Sequence, residues 1–287
     1  MLPAVMIQPY QPGRMASTVR LARPPSITAA AILLGLAGLT GCGEAQPASR
    51  PNVILITLDT VRADFLSCYG STNGATPAVD QLAAAGTLFE DAASSSGLTP
   101  ASHATILTGK FQYNHGLRVL AAGSGYKLDP DNETLTTAFK AAGYRTAAIH
   151  SAFPVSAFFG FDEGFDTFES FDATLKKKKN DTKVGWDVRS YQRRSDETTR
   201  MAKEWLAAAA DSDQPFFLWL HYWDPHDPVK LPDTEDFERL RYDPGTGELQ
   251  DQQTVEYAVE VRYQDENLKA LLDAIEIYRR EVRPSEQ

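Results

Sequence analysis

Three kinds of side chain in this 287-residue sequence could act together on an ester: a hydroxyl, imidazoles and a carboxylate. The hydroxyl is Thr99 in GLTPASHATILTG (Gly97 to Gly109), followed at once by Pro100 and then by Ser102 and His103. Threonine before proline fits the N-cap and first position of a helix, because proline tolerates the first turn and a hydroxyl accepts its unpaired N–H groups. Gly109 fits the stop. The same place also favours an anion, since the free N–H groups and the helix dipole point at it. Thr99 therefore reads either as a cap or as a nucleophile facing a bound anionic ester, and the stretch by itself leaves both open. The carboxylate is Asp59, directly after the apolar run NVILITL. Imidazoles come from His103, from His221 and His226 in PFFLWLHYWDPHDP, and from His115 in NHG.

Hydrolysis of a sulfate or phosphate ester needs the attacking oxygen deprotonated and the charge of the transferring group held. A divalent cation does both, and an Asp at a strand end is a suitable oxygen anchor for a hard one. Asp59 with Thr99 makes half of such a site. His221, among aromatics on a buried run, reads as core packing. His115 and His150 read at least as well as satisfied buried histidines as they do as functional groups.

These groups need a sheet edge to meet on. NVILITL (52–58) is a continuous apolar run rich in β-branched residues, as expected of a strand buried on both faces of a parallel sheet. PAVDQLAAAG has helical spacing to Gly86, TLFEDAA (87–93) reads as a strand, and Ser102–Leu107 as a helix. TLTTAFKAAG is a helix stopped by Gly143, then YRTAAIH a strand. Residues 152–192 are irregular, and their KKKKNDTK is a solvated loop. A helix follows, capped by Ser195 or Asp196, then the strand PFFLWLHYW, then one amphipathic helix over 252–282. Such alternation predicts an α/β fold with a mostly parallel sheet flanked by helices, whose ligands collect at the carboxyl ends of the strands. Asp59, Thr99, His221 and His226 all fall at such exits.

A net charge of −10 argues against a nucleic-acid partner. Two cysteines, Cys42 and Cys68, make no disulfide framework, and Cys68 reads as a buried structural thiol. Arg14, Arg20 and Arg23 precede SITAAAILLGLAGLTGC, an apolar run too short to span a bilayer, as in an export signal. Its end, Leu39-Thr40-Gly41-Cys42, resembles the lipobox of bacterial lipoproteins. That resemblance implies a signal peptide over 1–41, a lipidated Cys42, a linker over 42–50 and a chain anchored to the membrane of a bacterial cell envelope.

PNVILITLDTVRADFLSCYG, TPAVDQLAAAGTLFEDAASSSGLTPASHATILTG, GYRTAAIHSA, FGFDEGFDTF and FFLWLHYWDPHDP together resemble the sulfatase family of the alkaline-phosphatase-like superfamily. The likeness runs from about Pro51 to the last helix. It implies an alkaline-phosphatase-like fold and metal-dependent hydrolysis of small-molecule or glycan sulfate or phosphate esters. Asp59 matches a metal-binding Asp, and Thr99 the position of the Cys or Ser that sulfatases convert to formylglycine, so Thr99 counts as nucleophile and metal neighbour. Ser102 is kept from the family motif, His103 replaces its Arg, and His226 matches the histidine on the substrate's sulfate group. The likeness puts Ser102 and His115 on the substrate side and His103 beside Thr99 and His226 in catalysis. It implies calcium first, with magnesium, manganese or zinc as alternatives. Threonine cannot be oxidised to formylglycine, so none is expected, and threonine nucleophiles occur in related phosphodiesterases and phosphotransferases. Thr60 stands where many sulfatases have a second metal-binding Asp. Their helix matching YAVEVRYQDENLKALLDAIE leads into a strand ending Asp-His or Asp-Asn, which this sequence does not reach. The expectation is a C-terminally truncated domain over 51–287, its metal site incomplete, with a non-catalytic remnant as the alternative.

Overall fold

The computed structural model describes residues 50–72, 76–119, 127–169, 192–226, 247–248 and 250–282. Cys42 and the proposed signal and linker, residues 1–49, lie outside them, as does the lysine run. Strands β1 (Val53–Leu58), β2 (Arg145–His150), β3 (Thr167–Glu169) and β4 (Phe216–Tyr222) form one sheet in the order β1-β4-β2-β3, and every pairing is parallel. The helices are α1 (Pro77–Ala85), α2 (Thr99–Thr108), α3 (Gln112–His115), α4 (Leu135–Ala141), α5 (Ser195–Ala209) and α6 (Gln252–Val282).

Side chains alternate between the faces of a strand, and β4 sorts the molecule accordingly. Phe216, Leu218, Leu220 and Tyr222 face a core built with Ala78 and Val79 of α1, Ala202 and Leu206 of α5, and Leu268 and Leu271 of α6. Phe217 and Trp219 face the opposite way, into a core with Ala101, Ala104 and Leu107 of α2. In β1, Ile54 joins the first core and Val53 and Leu55 the second. The predicted α/β architecture is thus the observed one, and the strands expected at 52–58, 144–150 and 215–223 are present.

Three local expectations are corrected. Residues 87–93 join no strand, because Phe89, Glu90 and Asp91 are exposed and the segment has no buried face to dock. The short β3 lies inside a stretch expected to be irregular, and it pairs with β2 through Thr167, Phe168 and Glu169. Ser195 is not the cap of α5. Arg194 holds that position, while the Ser195 N–H and hydroxyl both donate to the Asp224 carboxylate. At the start of α1, caps come from a distance: Asp265 on α6 accepts the N–H groups of Ala78 at 2.8 Å and Val79 at 3.0 Å.

Candidate active site

The register of the sheet assembles the site. Thr57 pairs with His221, and His221 with His150, so these three side chains share the α2 face at the carboxyl ends of their strands. Asp59, two residues past Thr57, continues that face, and its own N–H closes the ladder onto the Tyr222 carbonyl at 2.9 Å. Trp219 Nε1–H donates to Thr57 Oγ1 at 3.2 Å and fixes the floor. Asp59 Oδ2 then lies 3.2 Å from His221 Nε2, both groups buried. From above, α2 lowers His103, whose ring centroid lies 5.0 Å from that of His221 and 5.9 Å from that of Trp219.

Hydrogen bonds assign the tautomers. A carbonyl only accepts, so the 2.8 Å contact of His103 Nδ1 with the Thr99 carbonyl puts a proton on Nδ1 and leaves a lone pair on Nε2. Among the described residues that buried Nε2 finds no hydrogen-bond partner. His221 is the opposite case: a carboxylate only accepts, so the 3.2 Å contact with Asp59 puts the proton on Nε2, while the Ser151 N–H, bound to the His221 carbonyl at 3.0 Å, also approaches Nδ1 at 3.4 Å. Burial, followed by the neighbouring His221, pushes His103 down to about 4. It is neutral at pH 7. Burial alone would raise the Asp59 carboxyl, but the His221 hydrogen bond and the nearby imidazoles of His221, His103 and His226 outweigh it and hold the group below its ordinary value. Asp59 is a carboxylate.

Thr99 is the first residue of α2 and not its cap. Leu98 occupies the N-cap, and the Ser102 N–H goes to the Leu98 carbonyl at 2.9 Å. The Thr99 hydroxyl makes no hydrogen bond among the described residues, so capping does not consume it. Ser102 donates its hydroxyl to the Thr99 carbonyl at 3.1 Å, which ties it to the same turn. His115 is turned inward: Nδ1 accepts the Leu117 N–H and Nε2 meets Thr105 Oγ1, both at 3.2 Å, and burial lowers its pKa. It fastens the far half of α2. His226 sits in the Asp224–His226 turn after β4, exposed, with its ring stacked on Trp223 at 3.7 Å and within electrostatic reach of Asp59. The structure therefore links Asp59, His103 and His221 directly, joins Thr99 and Ser102 through the first turn of α2, and places His226 on the rim.

Two features escaped the sequence reading. His221 belongs to this cluster and not to plain core packing. The sequence puts it at the same sheet edge as Asp59, but which face it takes is set by the pairing of Thr57 with His221 and is hidden because both faces of β4 are apolar. Thr60 adopts φ +57°, a strained conformation for a β-branched residue. It is held by its own hydroxyl on the Asp59 carbonyl at 2.7 Å and by Tyr257 of α6, whose hydroxyl donates to the Thr60 carbonyl at 2.7 Å. Asp64 pairs with Arg62 on the surface.

A carboxylate oxygen and one nitrogen from each of His103 and His221 lie within 4.8 Å of one another. A buried, neutral imidazole with an unused lone pair beside a carboxylate is the environment a divalent cation completes, so the residues present fit such a group.

An N-acetylgalactosamine-6-O-sulfatase of Bacteroides thetaiotaomicron is 34% identical over 125 residues, 41% of this chain and 24% of that protein. Among solved structures, Ps i-CgsB in complex with k-i-k-neocarrahexaose superposes with a TM-score of 0.61 at 24% identity, over 79% of this chain and 55% of that one. The phosphonate monoester hydrolase of Agrobacterium radiobacter superposes with a TM-score of 0.58 at 19% identity, over 79% and 60%. The chain thus spans about a quarter of the first relative's length and little over half of the solved chains. Residues 51–281, from the foot of β1 almost to the end of α6, match the Sulfatase family, and the chain belongs to it.

Proposed function

We propose that this chain carries the nucleophile-bearing part of a sulfate-ester hydrolase, with Thr99 as the attacking group. The observation that supports this most is an uncommitted hydroxyl at the first position of a ten-residue helix, on the residue whose carbonyl holds the His103 ring, a nitrogen of which lies within 4.8 Å of an Asp59 oxygen. The N–H groups of that helix end and its dipole favour the anionic group of the ester. A divalent cation at Asp59 and His103 supplies charge neutralisation and a lower cost of deprotonating the hydroxyl. Asp59 fixes that charge, His221 holds the Asp59 carboxylate, and Ser102 with the His103 Nδ1–H keeps the Thr99 turn closed. His226 on the rim meets the ester oxygens. Sulfated sugars are the favoured substrate class, because a relative matched over 41% of this chain is an N-acetylgalactosamine-6-O-sulfatase and a solved structure of similar fold is a complex with k-i-k-neocarrahexaose. A phosphate-ester reading comes second; its support is the threonine itself, which cannot become formylglycine.

The test is turnover of an aryl sulfate, a sulfated monosaccharide and a phosphate diester, with calcium, magnesium, manganese or zinc added. Thr99→Ala should lower the preferred activity at least about 100-fold, with the fold retained. Turnover that survives Thr99→Ala rejects the nucleophile, and a phosphate diester preferred over both sulfates reverses the substrate order. We also propose that Cys42 carries a lipid anchor after export. The Cys42→Ala protein should leave the membrane fraction, and its retention there at high salt would reject the anchor.

A further inference from the structure

Calcium takes six to eight oxygen ligands, whereas imidazole nitrogen suits zinc and neighbouring transition metals. Among the described residues the cluster at Asp59 combines one carboxylate with two imidazoles. Thr60, next in sequence, has its hydroxyl on the Asp59 carbonyl, and its backbone is clamped by Tyr257. On α2, His103 brings a nitrogen within 4.8 Å of an Asp59 oxygen, and its Nε2 is buried and without a hydrogen-bond partner among the described residues. Its other nitrogen is spent on the Thr99 carbonyl, which fixes the ring and aims the lone pair, as outer partners of ligating histidines do. His221 serves the carboxylate: Asp59 Oδ2 only accepts, so its 3.2 Å contact with His221 Nε2 places a proton there. The Asp59 carboxylate is thereby oriented with its other oxygen available.

We propose that this site selects a borderline transition metal of the zinc or cobalt class over calcium, with Asp59 and His103 Nε2 as ligands and His221 as the residue that positions the Asp59 carboxylate. The inference rests on the reading of Asp59 as the metal anchor of an ester-hydrolysing site. It assigns that site a nitrogen ligand in a position where the sequence motif of the family has an arginine.

The experiment is titration of the full chain with zinc, cobalt and calcium by calorimetry, with the visible absorption of the cobalt form as a second readout. Zinc should bind at least about tenfold tighter than calcium. His103→Gln keeps the size and a donor toward Thr99 but removes the imidazole. It should lower zinc affinity by more than about tenfold, shift the cobalt spectrum and leave calcium binding unchanged. His221→Ala should weaken zinc by about 10–100-fold without the spectral shift of a lost nitrogen ligand. Calcium binding tighter than zinc, or a cobalt spectrum identical in wild type and His103→Gln, overturns the assignment. Folding of each variant is read from its circular dichroism. Zinc bound normally by a wild-type protein that turns over no ester would overturn the hydrolase reading and leave the metal assignment standing.

Discussion

One face of the sheet is covered by α1, α5 and α6 and buries three acids among the described residues; the other, covered by α2, α4 and a series of short turns, buries imidazoles around the carboxylate of Asp59. On the helix face every buried acid is committed. Asp265 caps α1, and Asp224 takes the Ser195 N–H and hydroxyl. Glu260 pairs with Arg194 at 3.2 Å, and the Arg194 guanidinium also lies over the ring of Tyr263 at 4.3 Å. These contacts tie α5, α6 and the Asp224–His226 turn into one frame. On the α2 face, His103 keeps an unused lone pair and Thr99 an unused hydroxyl. The buried acids of the helix face are structure, although Gln264 Nε2 and the Tyr278 hydroxyl there also lack a partner among the described residues, and the unpartnered imidazole beside Asp59 is the group placed for chemistry. The two faces divide those tasks.

Substitutions on the two faces should separate stability from function. The largest stability effect is expected on the helix face: Asp265→Ala orphans two N–H groups of α1 and should cost about 2 kcal/mol in chemical denaturation, with zinc affinity unchanged. His103→Gln, on the other face, loses at most one hydrogen bond and should cost about 1 kcal/mol or less, while zinc affinity falls by more than about tenfold. A loss of 3 kcal/mol or more there, on the order of a core deletion, would make His103 a packing residue and erase the contrast.

The smallest effect is a pH dependence. Burial, only partly offset by Arg194, raises Glu260 to about 7. For an acid whose folded pKa lies above its unfolded value, the stability it contributes is full below about 4.5 and is lost as pH rises through about 7. Between pH 5 and pH 8 the melting temperature of wild type should therefore fall relative to that of Glu260→Gln. Parallel curves for the two proteins would show that Arg194 neutralises the acid fully.

How much of this was legible beforehand follows from the same physics. β1, β2 and β4 announce themselves because strands of a parallel sheet are apolar on both faces, and α6 shows a helical period over all of 252–282. That same double-sided apolarity hides which face a residue takes, so His221 looked like filler beside Trp219. Asp59 and Thr99 stood out because each terminates or opens an element. The cap was misjudged by one position: threonine before proline fits either side of a helix start, and only the bond from the Ser102 N–H to the Leu98 carbonyl decides it. Remote caps such as Asp265 leave no local signature at all.

The strand order has a consequence for synthesis. Among the described residues β1 has a single strand neighbour, β4, and Val53 pairs with Phe217. A ribosome moving at about 5–20 residues per second reaches that partner some 8–30 s after β1 has formed. For that interval a six-residue segment, VILITL, waits with both apolar faces and both hydrogen-bonding edges open. Overexpression that crowds nascent chains should therefore drive aggregation through β1, whereas holdase chaperones or slower initiation should recover soluble protein without any change to the native state.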